Sequence, residues 1–341
     1  MSFVIRTEPG QHSLTVTPGQ TVLEAAIQQH IGLPYGCRDG KCGSCSAELV
    51  DGQVHYPSGK TEALSGQPAS ACLTCQAVPQ SDLVLRVSEL TSAAEIQVRT
   101  LPCRIEEKRM LNHDVIRLRL KLPEGQRLQF LAGQYLEFIL ADGRKRAFSM
   151  ASAPHDDALI ELHVRRVPGG EFTDYIFDEV QEKAVLRIQG PLGSFVLREA
   201  SERPMIFIGG GTGFAPVKGL LEHAFHAGIE RPMTLYWGAR SERDLYLPDL
   251  PEQWSAQHAN FRYVPVLSEP DQGWDGRRGF VHEAVVDDHP DIADFDVYMS
   301  GPPIMVEAGR SAFESRGLGM DHMFSDAFEW AADSPKHKTQ G

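Results

Sequence analysis

Four cysteines have a spacing that suits iron ligands. Cys37, Cys42 and Cys45 form a Cys-x4-Cys-x2-Cys run, and Cys75 follows well downstream, which is the spacing of plant-type [2Fe-2S] ligands. Each of the two irons takes two protein sulfurs, and a tight loop supplies three of the four thiolates together. The glycines interspersed in this run allow the close backbone approach that such a loop needs. The sequence therefore predicts a [2Fe-2S] cluster on these four cysteines.

A structural zinc site is the alternative for the same cysteines. It would use two Cys-x2-Cys pairs, Cys42 with Cys45 and Cys72 with Cys75, as zinc ribbons do. This alternative leaves Cys37 and the glycines unexplained, and the two pairs are farther apart than in the usual zinc ribbon. The spacing favours the cluster, and the two cysteines outside the predicted ligand set are expected to be small buried apolar side chains.

Two further segments carry residue types that suit a flavin. Arg146, Ala147, Phe148 and Ser149 put a guanidinium, an aromatic ring and a hydroxyl on a short extended segment; taken alone, this pattern favours an ordinary strand. The segment 169–173 precedes a helical stretch, where free amides can face a phosphate. A simple turn with a helix cap explains that segment equally well, so both interpretations stay open.

Two loops have the context of a dinucleotide site. Residues 208–216, IGGGTGFAP, follow an apolar strand and precede a helix, as a pyrophosphate-binding loop requires. Ser300, Gly301 and Pro302 end another apolar strand. Because ligands of open parallel sheets gather at the carboxyl ends of the strands, these loops predict a nucleotide crevice.

Composition limits the class of protein. The chain has 341 residues, 42% of them hydrophobic, which is enough for two or three cores. Its net charge of -13 would repel phosphate backbones, so nucleic acid is not an expected partner. The start lacks the features of a signal peptide and no stretch stays apolar long enough to span a bilayer. We therefore expect a cytoplasmic protein with no membrane partner.

Hydrophobic periodicity divides the chain into three units. Residues 1–92 show short runs of alternating polar and apolar residues around one helix. Thr21 and Glu24 have the spacing of a capping box, which predicts the start of that helix. Asp51-Gly52 predicts a β-hairpin. After a linker at 91–97, the second unit has strand-like runs with one helical pattern, which predicts a small antiparallel barrel. The third has apolar runs without alternation, separated by helices, which predicts a parallel sheet. The predicted limits are 1–92, 98–200 and 201–333, with a polar tail at 334–341.

Motifs spread over all three units resemble one known family. The sequence resembles, over roughly residues 1–330, the oxygenase-type reductases that join an N-terminal plant-type ferredoxin domain to a ferredoxin-NADP reductase-like module. The resemblance implies a multidomain α+β chain: a β-grasp ferredoxin domain, an antiparallel six-stranded FAD-binding β-barrel and an α/β parallel-sheet NAD-binding domain. The matching segments are GKCGSC, AGQY, ELHVRRV, GGGTGFAPVK, YWGAR, GFVH and FSDAF.

The resemblance also implies how FAD would be held. Arg146 would bind the pyrophosphate, Phe148 would lie against the isoalloxazine, and Ser149 would hydrogen-bond near its N5. The family usually has tyrosine in place of Phe148, so stacking is kept and one hydroxyl contact is lost. The remaining flavin contacts that the resemblance implies are Ala147, the backbone of His163 and Val164, Gly170 and Thr173 at the diphosphate, and Phe328 as a shielding aromatic.

The nicotinamide side follows from the same resemblance. Ser300 stands where the family commonly has cysteine, near the expected nicotinamide ring, and joins Ser149 as a candidate catalytic residue. The dinucleotide contacts so implied are Gly210, Gly211, Thr212, Gly213, Gly301 and Pro302.

The loop after YWG bears on the choice of nucleotide. Arg240 and Arg243 could bind a 2′-phosphate, but Glu242 and Asp244 would oppose it. Relatives with a DLY-like sequence at this point mostly use NADH. NADH is therefore the expected cofactor, and NADPH the less favoured one.

These elements together imply an electron-transfer chain. A hydride carries two electrons and a [2Fe-2S] centre accepts one, so a flavin must stand between them. We expect an NADH-dependent, monomeric iron–sulfur flavoprotein reductase that passes electrons through FAD and the cluster to a separate terminal enzyme. Within the resemblance, that enzyme is an oxygenase component or a dehydratase that forms CDP-6-deoxy-delta-3,4-glucoseen. The alternative is a redox sensor or a zinc-stabilised binding protein that keeps the fold without turnover.

Overall fold

A computed structural model describes residues 2–29, 31–33, 40, 45–87, 89 and 96–328. The predicted cluster ligands Cys37 and Cys42, the tail 334–341 and most of the linker 91–97 lie outside the described residues. Three β-sheet units follow one another along the described chain, each around its own buried apolar cluster. The predicted limits of the three domains stay a prediction.

The N-terminal unit is a five-stranded mixed sheet with one helix. The strand order is β2-β1-β7-β3-β5, with β1 parallel to β7, and β4 and β6 pair separately. The predicted capping box is confirmed, because the Glu24 amide donates to Thr21 Oγ1 at 3.2 Å and the Thr21 amide donates to Glu24 Oε2 at 2.9 Å. The elements are β1 Phe3–Glu8, β2 Ser13–Val16, α1 Val22–Gln28, β3 Ser46–Asp51, β4 Val54–His55, β5 Ala71–Leu73, β6 Val78–Pro79 and β7 Leu83–Arg86.

The predicted hairpin at Asp51-Gly52 is wrong. A turn does form, with φ +99° at Gly52, but the strands on its two sides do not pair with each other: β3 pairs with β5 and β7, whereas β4 pairs with β6. Turn residues specify only a local reversal of the chain. The partner of β3 is instead set by burial, because β7 carries Leu83 and Leu85 into the core.

The middle unit is the predicted six-stranded antiparallel sheet. Its order is β11-β10-β13-β8-β9-β12. In the described sheet, the backbone hydrogen bonding between the two edges lies just beyond β11, where Met150 bridges Leu162 and the Ala151 amide donates to the Glu161 carbonyl at 2.8 Å. No continuous ladder of described strands therefore closes the barrel. The elements are β8 Arg99–Met110, β9 Val115–Lys121, β10 Tyr135–Ile139, β11 Lys145–Ser149, β12 Ile160–Arg165, α2 Glu171–Asp174 and β13 Val185–Leu192. A π-helical turn, Tyr175–Glu179, continues α2.

The C-terminal unit is the predicted parallel α/β sheet. Its order is β17-β16-β15-β14-β18-β19, and every neighbouring pair is parallel. Every residue of β14 is buried, because apolar clusters cover both faces of the sheet. The elements are β14 Met205–Gly210, α3 Phe214–His226, β15 Met233–Ala239, α4 Asp249–Gln257, β16 Phe261–Leu267, β17 Arg277–Arg278, α5 Val281–Asp288, β18 Asp296–Gly301, α6 Pro303–Glu314 and β19 Met323–Ala327.

None of the helices among the described residues combines the length and the apolar character that a bilayer crossing requires.

Candidate functional site

One large cavity lies between the middle and C-terminal units. Its volume is about 1840 Å³, well above the roughly 300–1,000 Å³ of a pocket for one small ligand. Its walls come from β11, from the loop before α2 and from the carboxyl ends of β14, β15 and β18. Most of the predicted cofactor residues line it: Arg146, Ala147, Phe148, Ser149, His163, Gly170, Thr173, Gly210, Gly211, Thr212, Arg240, Pro302 and Phe328.

Four predicted residues lie behind the cavity wall. Val164 points into the core of the middle sheet and is 0% exposed, while Gly213, Ser300 and Gly301 are buried. None of the four lines the cavity. Their proposed contacts with a cofactor therefore depend on the backbone or on packing beneath the wall.

Strand β11 forms the aromatic and basic wall. It is an edge strand paired only with β10 in the described sheet, and each of its five residues, Lys145–Ser149, lines the cavity. The Phe148 ring packs against Phe138 and Phe172, with centroid distances of 5.8 and 5.7 Å. Arg146 is half-buried and donates to the Lys145 carbonyl at 2.9 Å. An apolar ring platform beside a guanidinium fits the isoalloxazine and pyrophosphate of a flavin dinucleotide.

Ser149 has a partner that sequence reasoning missed. Its hydroxyl donates to Asp326 Oδ2 at 3.0 Å, although the two residues are 177 positions apart. Burial raises the pKa of Asp326, and the hydrogen bond from Ser149 partly offsets that rise. Asp326 also lines the cavity, so a carboxyl group with a raised pKa stands beside the hydroxyl predicted to face the flavin.

Gly170 and Thr173 form a compact turn ahead of α2. The Thr173 hydroxyl accepts from the Val167 amide at 3.1 Å and lies 3.0 Å from the Gly170 carbonyl. A Cβ on Gly170 would come within 2.8 Å of Thr173 Oγ1. The hydroxyl thus holds the turn, and both residues still line the cavity.

Close backbone packing supports the opposite wall. A Cβ on Gly213 would lie 2.0 Å from the Ser300 carbonyl oxygen, and one on Gly210 would lie 2.5 Å from Met305 Sδ. Gly301 has φ +150°, and a Cβ there would approach the Gly210 Cα to 3.0 Å. The loops after β14 and β18 therefore touch each other along backbone that only glycine allows. Such a surface suits the close approach of a pyrophosphate.

Ser300 is fully buried, and its hydroxyl has no hydrogen-bond partner among the described residues. It sits where β18 pairs with β14 and β19, opposite Gly209 and Asp326. Ser300 therefore lies directly beneath residues 210–213, which we call the glycine loop. The predicted catalytic role of Ser300 stays a prediction.

Phe328 is the last described residue and lies at the cavity. Its amide donates to the Gly301 carbonyl at 2.9 Å, which joins the end of β19 to the loop after β18. This hydrogen bond fixes the backbone of the predicted shielding aromatic beside the cavity.

Arg240 and its neighbours line a smaller pocket of about 390 Å³ beside the main cavity. Asp244 is turned inward, where its Oδ2 accepts from the Ser241 amide and hydroxyl at 3.0 and 2.9 Å. Glu269 and Asp271 face the same space. Sequence reasoning named Glu242 and Asp244 as the opposing charges and missed the two carboxylates that follow β16.

Two of the four predicted cluster ligands fall within the described residues. Cys45 and Cys75 are 3% and 6% exposed, and the Cys45 thiol donates to Cys75 Sγ at 3.2 Å. That hydrogen bond lowers the pKa of Cys75 to about 6, which favours the thiolate that a metal needs. Cys72 is 0% exposed and burial raises its pKa to about 11. The convergent pair fits an iron–sulfur centre, and Cys72 behaves as a buried apolar side chain.

The fold and site define a class: a flavin- and nicotinamide-binding module joined to a cluster-binding domain. Family models agree. A 2Fe-2S iron-sulfur cluster binding domain matches residues 5–80, an oxidoreductase FAD-binding domain matches 102–197, and an oxidoreductase NAD-binding domain matches 207–311.

Similar proteins cover nearly the whole chain. It is 38% identical over 328 residues to the CDP-6-deoxy-L-threo-D-glycero-4-hexulose-3-dehydrase reductase of Yersinia pestis, covering 96% of this chain and 99% of the relative. It is 34% identical to terephthalate 1,2-dioxygenase reductase component 2 of Comamonas sp., covering 96% and 98%. The cytochrome P450 reductase GcoB of Amycolatopsis has a similar structure, with a TM-score of 0.65 and 34% identity over 96% of this chain and 98% of that one.

The chain belongs to this family of iron–sulfur flavoprotein reductase components. It is an oxidoreductase with binding domains for a [2Fe-2S] cluster, FAD and a nicotinamide dinucleotide. The resemblance drawn from the sequence is confirmed. Within the family, the sequence also resembles CDP-6-deoxy-delta-3,4-glucoseen reductase more narrowly, and this resemblance is confirmed too, since the Yersinia relative is the reductase of a CDP-6-deoxy-hexulose dehydrase.

Proposed function

We propose that this chain takes electrons from NADH onto FAD bound along β11 and delivers them singly, through a cluster on Cys37, Cys42, Cys45 and Cys75, to a separate terminal enzyme. The observation that carries this proposal is the single cavity shared by β11 and the glycine loop after β14. The volume of this cavity, about 1840 Å³, exceeds the roughly 300–1,000 Å³ of a pocket for one small ligand, which supports the binding of two dinucleotides side by side.

The residues of β11 bind and orient the flavin in this proposal. FAD, when bound, supplies the conversion between a two-electron donor and a one-electron acceptor. The Arg146 guanidinium neutralises the pyrophosphate, and the Phe148 face excludes water from one side of the ring system. Ser149 donates a hydrogen bond, and Asp326 fixes the direction of its hydroxyl.

The glycine loop binds the dinucleotide that exchanges at each turnover. Because side chains are absent at Gly210 and Gly211, which line the cavity, the pyrophosphate reaches the backbone there directly. The amino end of α3 follows immediately, where unpaired amides favour negative charge. Ser300 lies beneath the loop and supports its shape.

The charges around Arg240 favour NADH over NADPH. Arg240 and Arg243 share the side pocket with Asp244, Glu269 and Asp271, so a 2′-phosphate would bring two negative charges to three carboxylates and two guanidiniums. We expect kcat/KM for NADH to exceed that for NADPH by about 10-fold or more, since each 1.4 kcal/mol of unfavourable charge contributes a factor of ten.

The terminal acceptor we propose is a sugar-nucleotide dehydratase of the CDP-6-deoxy-hexulose type. The highest of the identities given above, at 38%, is to a reductase named for such a dehydrase; an oxygenase component is the second candidate, because the Comamonas relative is 34% identical. Addition of each purified terminal enzyme with its substrate to this reductase and NADH decides between them. We expect sustained NADH oxidation with the dehydratase. We also expect the reductase to sediment as a monomer.

The proposal is tested by comparing two electron acceptors. Ferricyanide takes electrons from reduced flavin, whereas cytochrome c reduction depends on the cluster. Cys45→Ser should retain ferricyanide reduction within about 2-fold and lose at least about 10-fold of cytochrome c reduction, because a displaced ligand removes the one-electron exit.

Cys72→Ser is the matched control. Cys72 is a ligand in the zinc alternative and lies outside the cluster set, so this variant should keep its iron, acid-labile sulfide and cytochrome c reduction. Bound zinc that both substitutions remove would contradict the proposal. Reduction of the wild-type flavin by one equivalent of NADH without further turnover would favour a redox sensor instead.

A further inference from the structure

Strand β12 is buried on both faces, although it is an edge strand of the middle sheet. Ile160, Leu162 and Val164 point into the apolar core of that sheet. The alternate residues, Glu161 and His163, are polar and are 6% and 4% exposed. Because successive side chains of a strand point to opposite faces, this polar face must be covered by something other than its own sheet.

The C-terminal unit covers the polar face of β12. Glu161 Oε1 lies 3.4 Å from Lys218 Nζ of α3, and His163 Nδ1 lies 3.0 Å from the Tyr246 hydroxyl. Arg165 is the next residue on this face. Its Nη1 atom lies 3.2 Å from the position that a Cβ would occupy if Gly211 had a side chain. Successive residues on one face of β12 thus touch the helix, the tyrosine and the glycine loop of the nucleotide-binding unit.

The direction of the hydrogen bonds follows from the partners. His163 Nε2 lies 3.0 Å from Glu161 Oε1. Burial opposes ionisation of Glu161, but the hydrogen bond from His163 and the charge of Lys218 lower its pKa, so it is a carboxylate that only accepts. Nε2 therefore carries the proton. Nδ1 is then an acceptor, and the Tyr246 hydroxyl donates to it.

Both partners keep this arrangement near neutral pH. Burial lowers the pKa of His163, which keeps the imidazole neutral, and burial raises the pKa of Tyr246 well above its usual value, which keeps the phenol protonated. The other charged groups facing His163 are Lys218, at the same carboxylate, and Arg117 on β9, and both disfavour a second proton on the ring.

Tyr246 is packed into the support of the glycine loop. Its ring contacts Trp237 and Phe214 edge-on, at centroid distances of 5.0 and 6.1 Å. Trp237 Nε1 donates to the Gly211 carbonyl at 3.0 Å, and Phe214 begins α3 directly after the loop. On the other side, His163 lines the cavity. One hydrogen bond therefore joins the flavin-side strand to the packing that holds the nucleotide loop.

We propose that the hydrogen bond from Tyr246 to His163 sets the distance between the glycine loop and β11, and thereby aligns the nicotinamide dinucleotide with the flavin. Both are positioning residues for hydride transfer. This inference rests on the proposed function. Misplacement of reacting groups by about 1 Å can cost on the order of 100-fold in rate, so one buried hydrogen bond at this seam has a large effect on the reaction.

Tyr246→Phe tests the inference in the holoenzyme. In stopped-flow reduction of the flavin by NADH, the limiting rate should fall by about 10-fold or more, while the Kd for NADH changes by less than about 3-fold, because the nucleotide contacts remain. Absorbance of the nicotinamide–flavin charge-transfer complex should fall in parallel. A limiting rate and charge-transfer absorbance equal to those of the wild type would overturn the inference.

Tyr236→Phe is the matched control. Tyr236 is also a buried tyrosine, and its hydroxyl donates to Asp288 in a partly buried hydrogen bond of 2.9 Å within the C-terminal unit. This variant loses one buried hydrogen bond without touching β12, so its limiting rate should equal that of the wild type. Equal rate losses in both variants would show a general loss of stability and would overturn the inference.

A readout without cofactors completes the test. In flavin-free protein, hydrogen exchange at β12 and at residues 245–247 should be about 10-fold faster in Tyr246→Phe than in the wild type, since each 1.4 kcal/mol of lost local stability gives a factor of ten. Tyr236→Phe should leave those amides unchanged. Unchanged exchange in Tyr246→Phe would overturn the inference.

A double variant measures the energetic coupling between the side chains of His163 and Tyr246. His163→Leu with Tyr246→Phe should lose no more rate than the larger single loss, because both changes remove one interaction. Losses that multiply would overturn the inference. If the wild-type flavin is not reduced by NADH at all, the proposed function fails, whereas the exchange experiment still decides the role of the hydrogen bond.

Discussion

The two walls of the cavity are built from different parts of the chain. The wall on β11, where we propose that FAD binds and which we call the flavin wall, presents side chains: a guanidinium, a ring and a hydroxyl at Arg146, Phe148 and Ser149. The wall formed by residues 210–213, which we call the nucleotide wall, presents backbone at Gly210 and Gly211. Behind this wall, the loops after β14 and β18 meet at Gly213 and Gly301 with no room for a Cβ. One strand supplies the first wall, and the crossing of two loops supplies the second.

The difference between the two walls fits the residence times that we propose for the two ligands. A resident flavin gains affinity from charge-assisted and aromatic contacts. A nucleotide that exchanges at each turnover needs shape and amide donors rather than tight side-chain contacts. The comparison therefore predicts that changes on the nucleotide wall stop the reaction, whereas changes on the flavin wall release the cofactor.

The largest effect is expected from Gly213→Val. The new side chain would begin 2.0 Å from the Ser300 carbonyl oxygen, so the loops after β14 and β18 must separate. We expect the rate of flavin reduction by NADH to fall by about 100-fold or more, with FAD still bound. Stopped-flow absorbance and the flavin content of the purified variant measure the two quantities.

Gly319→Ala is the control for that substitution. A Cβ at this exposed position meets only His322, at 3.9 Å, and should leave the rate unchanged. Loss of FAD from Gly213→Val together with the lost rate would show that the two walls are not separable.

A smaller effect is expected from Arg146→Ala on the flavin wall. Loss of a charge-assisted hydrogen bond costs about 1.5–3 kcal/mol, so the Kd for FAD should rise by about 10- to 100-fold. The KM for NADH, measured with saturating FAD, should stay the same. Arg104→Ala, which removes an exposed pair with Glu106, controls for the lost charge. A raised KM for NADH with unchanged FAD affinity would reverse the assignment of the two walls.

The smallest effect concerns the link between the walls at Asp326. Burial raises the pKa of its carboxyl, so the folded state binds the proton more tightly than the unfolded state does. The contribution to stability is complete below the unfolded pKa of about 3.9 and is lost as the pH rises through the folded pKa. Asp326→Asn keeps an acceptor for Ser149 and removes this titration.

Thermal unfolding as a function of pH tests the predicted direction of this change in stability. From pH 4 upward, the wild type should lose stability relative to Asp326→Asn, and the difference should level off once the folded carboxyl is ionised. Parallel stability curves for the two proteins would show that Asp326 titrates as an exposed carboxyl does.

Local patterns predicted the types of sheet and the start of the first helix, and the family resemblance supplied most of the predicted residues that line the cavity. The unalternating apolar run of β14 indicated a strand buried on both faces, and the Thr21 capping box indicated the start of α1. Motif and resemblance together named Arg146 and Gly210 as cofactor contacts, and both residues line the cavity in the structure.

Long-range partners were beyond the reach of the sequence. The Ser149–Asp326 pair spans 177 positions, and the choice of β7 rather than β4 as a partner of β3 depends on burial in the assembled core. The contact of Tyr246 with His163 likewise forms only when two units dock. No period or turn residue encodes these contacts, since each depends on how separate elements pack.

Anaerobic titration of the purified protein with NADH tests the central claim most directly. Flavin absorbance and electron paramagnetic resonance of the cluster monitor the titration. The account predicts that about three electrons are taken up per chain, two by FAD and one by the [2Fe-2S] centre, with the reduced-cluster signal appearing as the flavin bleaches. Uptake of only two electrons, with no iron and no cluster signal, would contradict it.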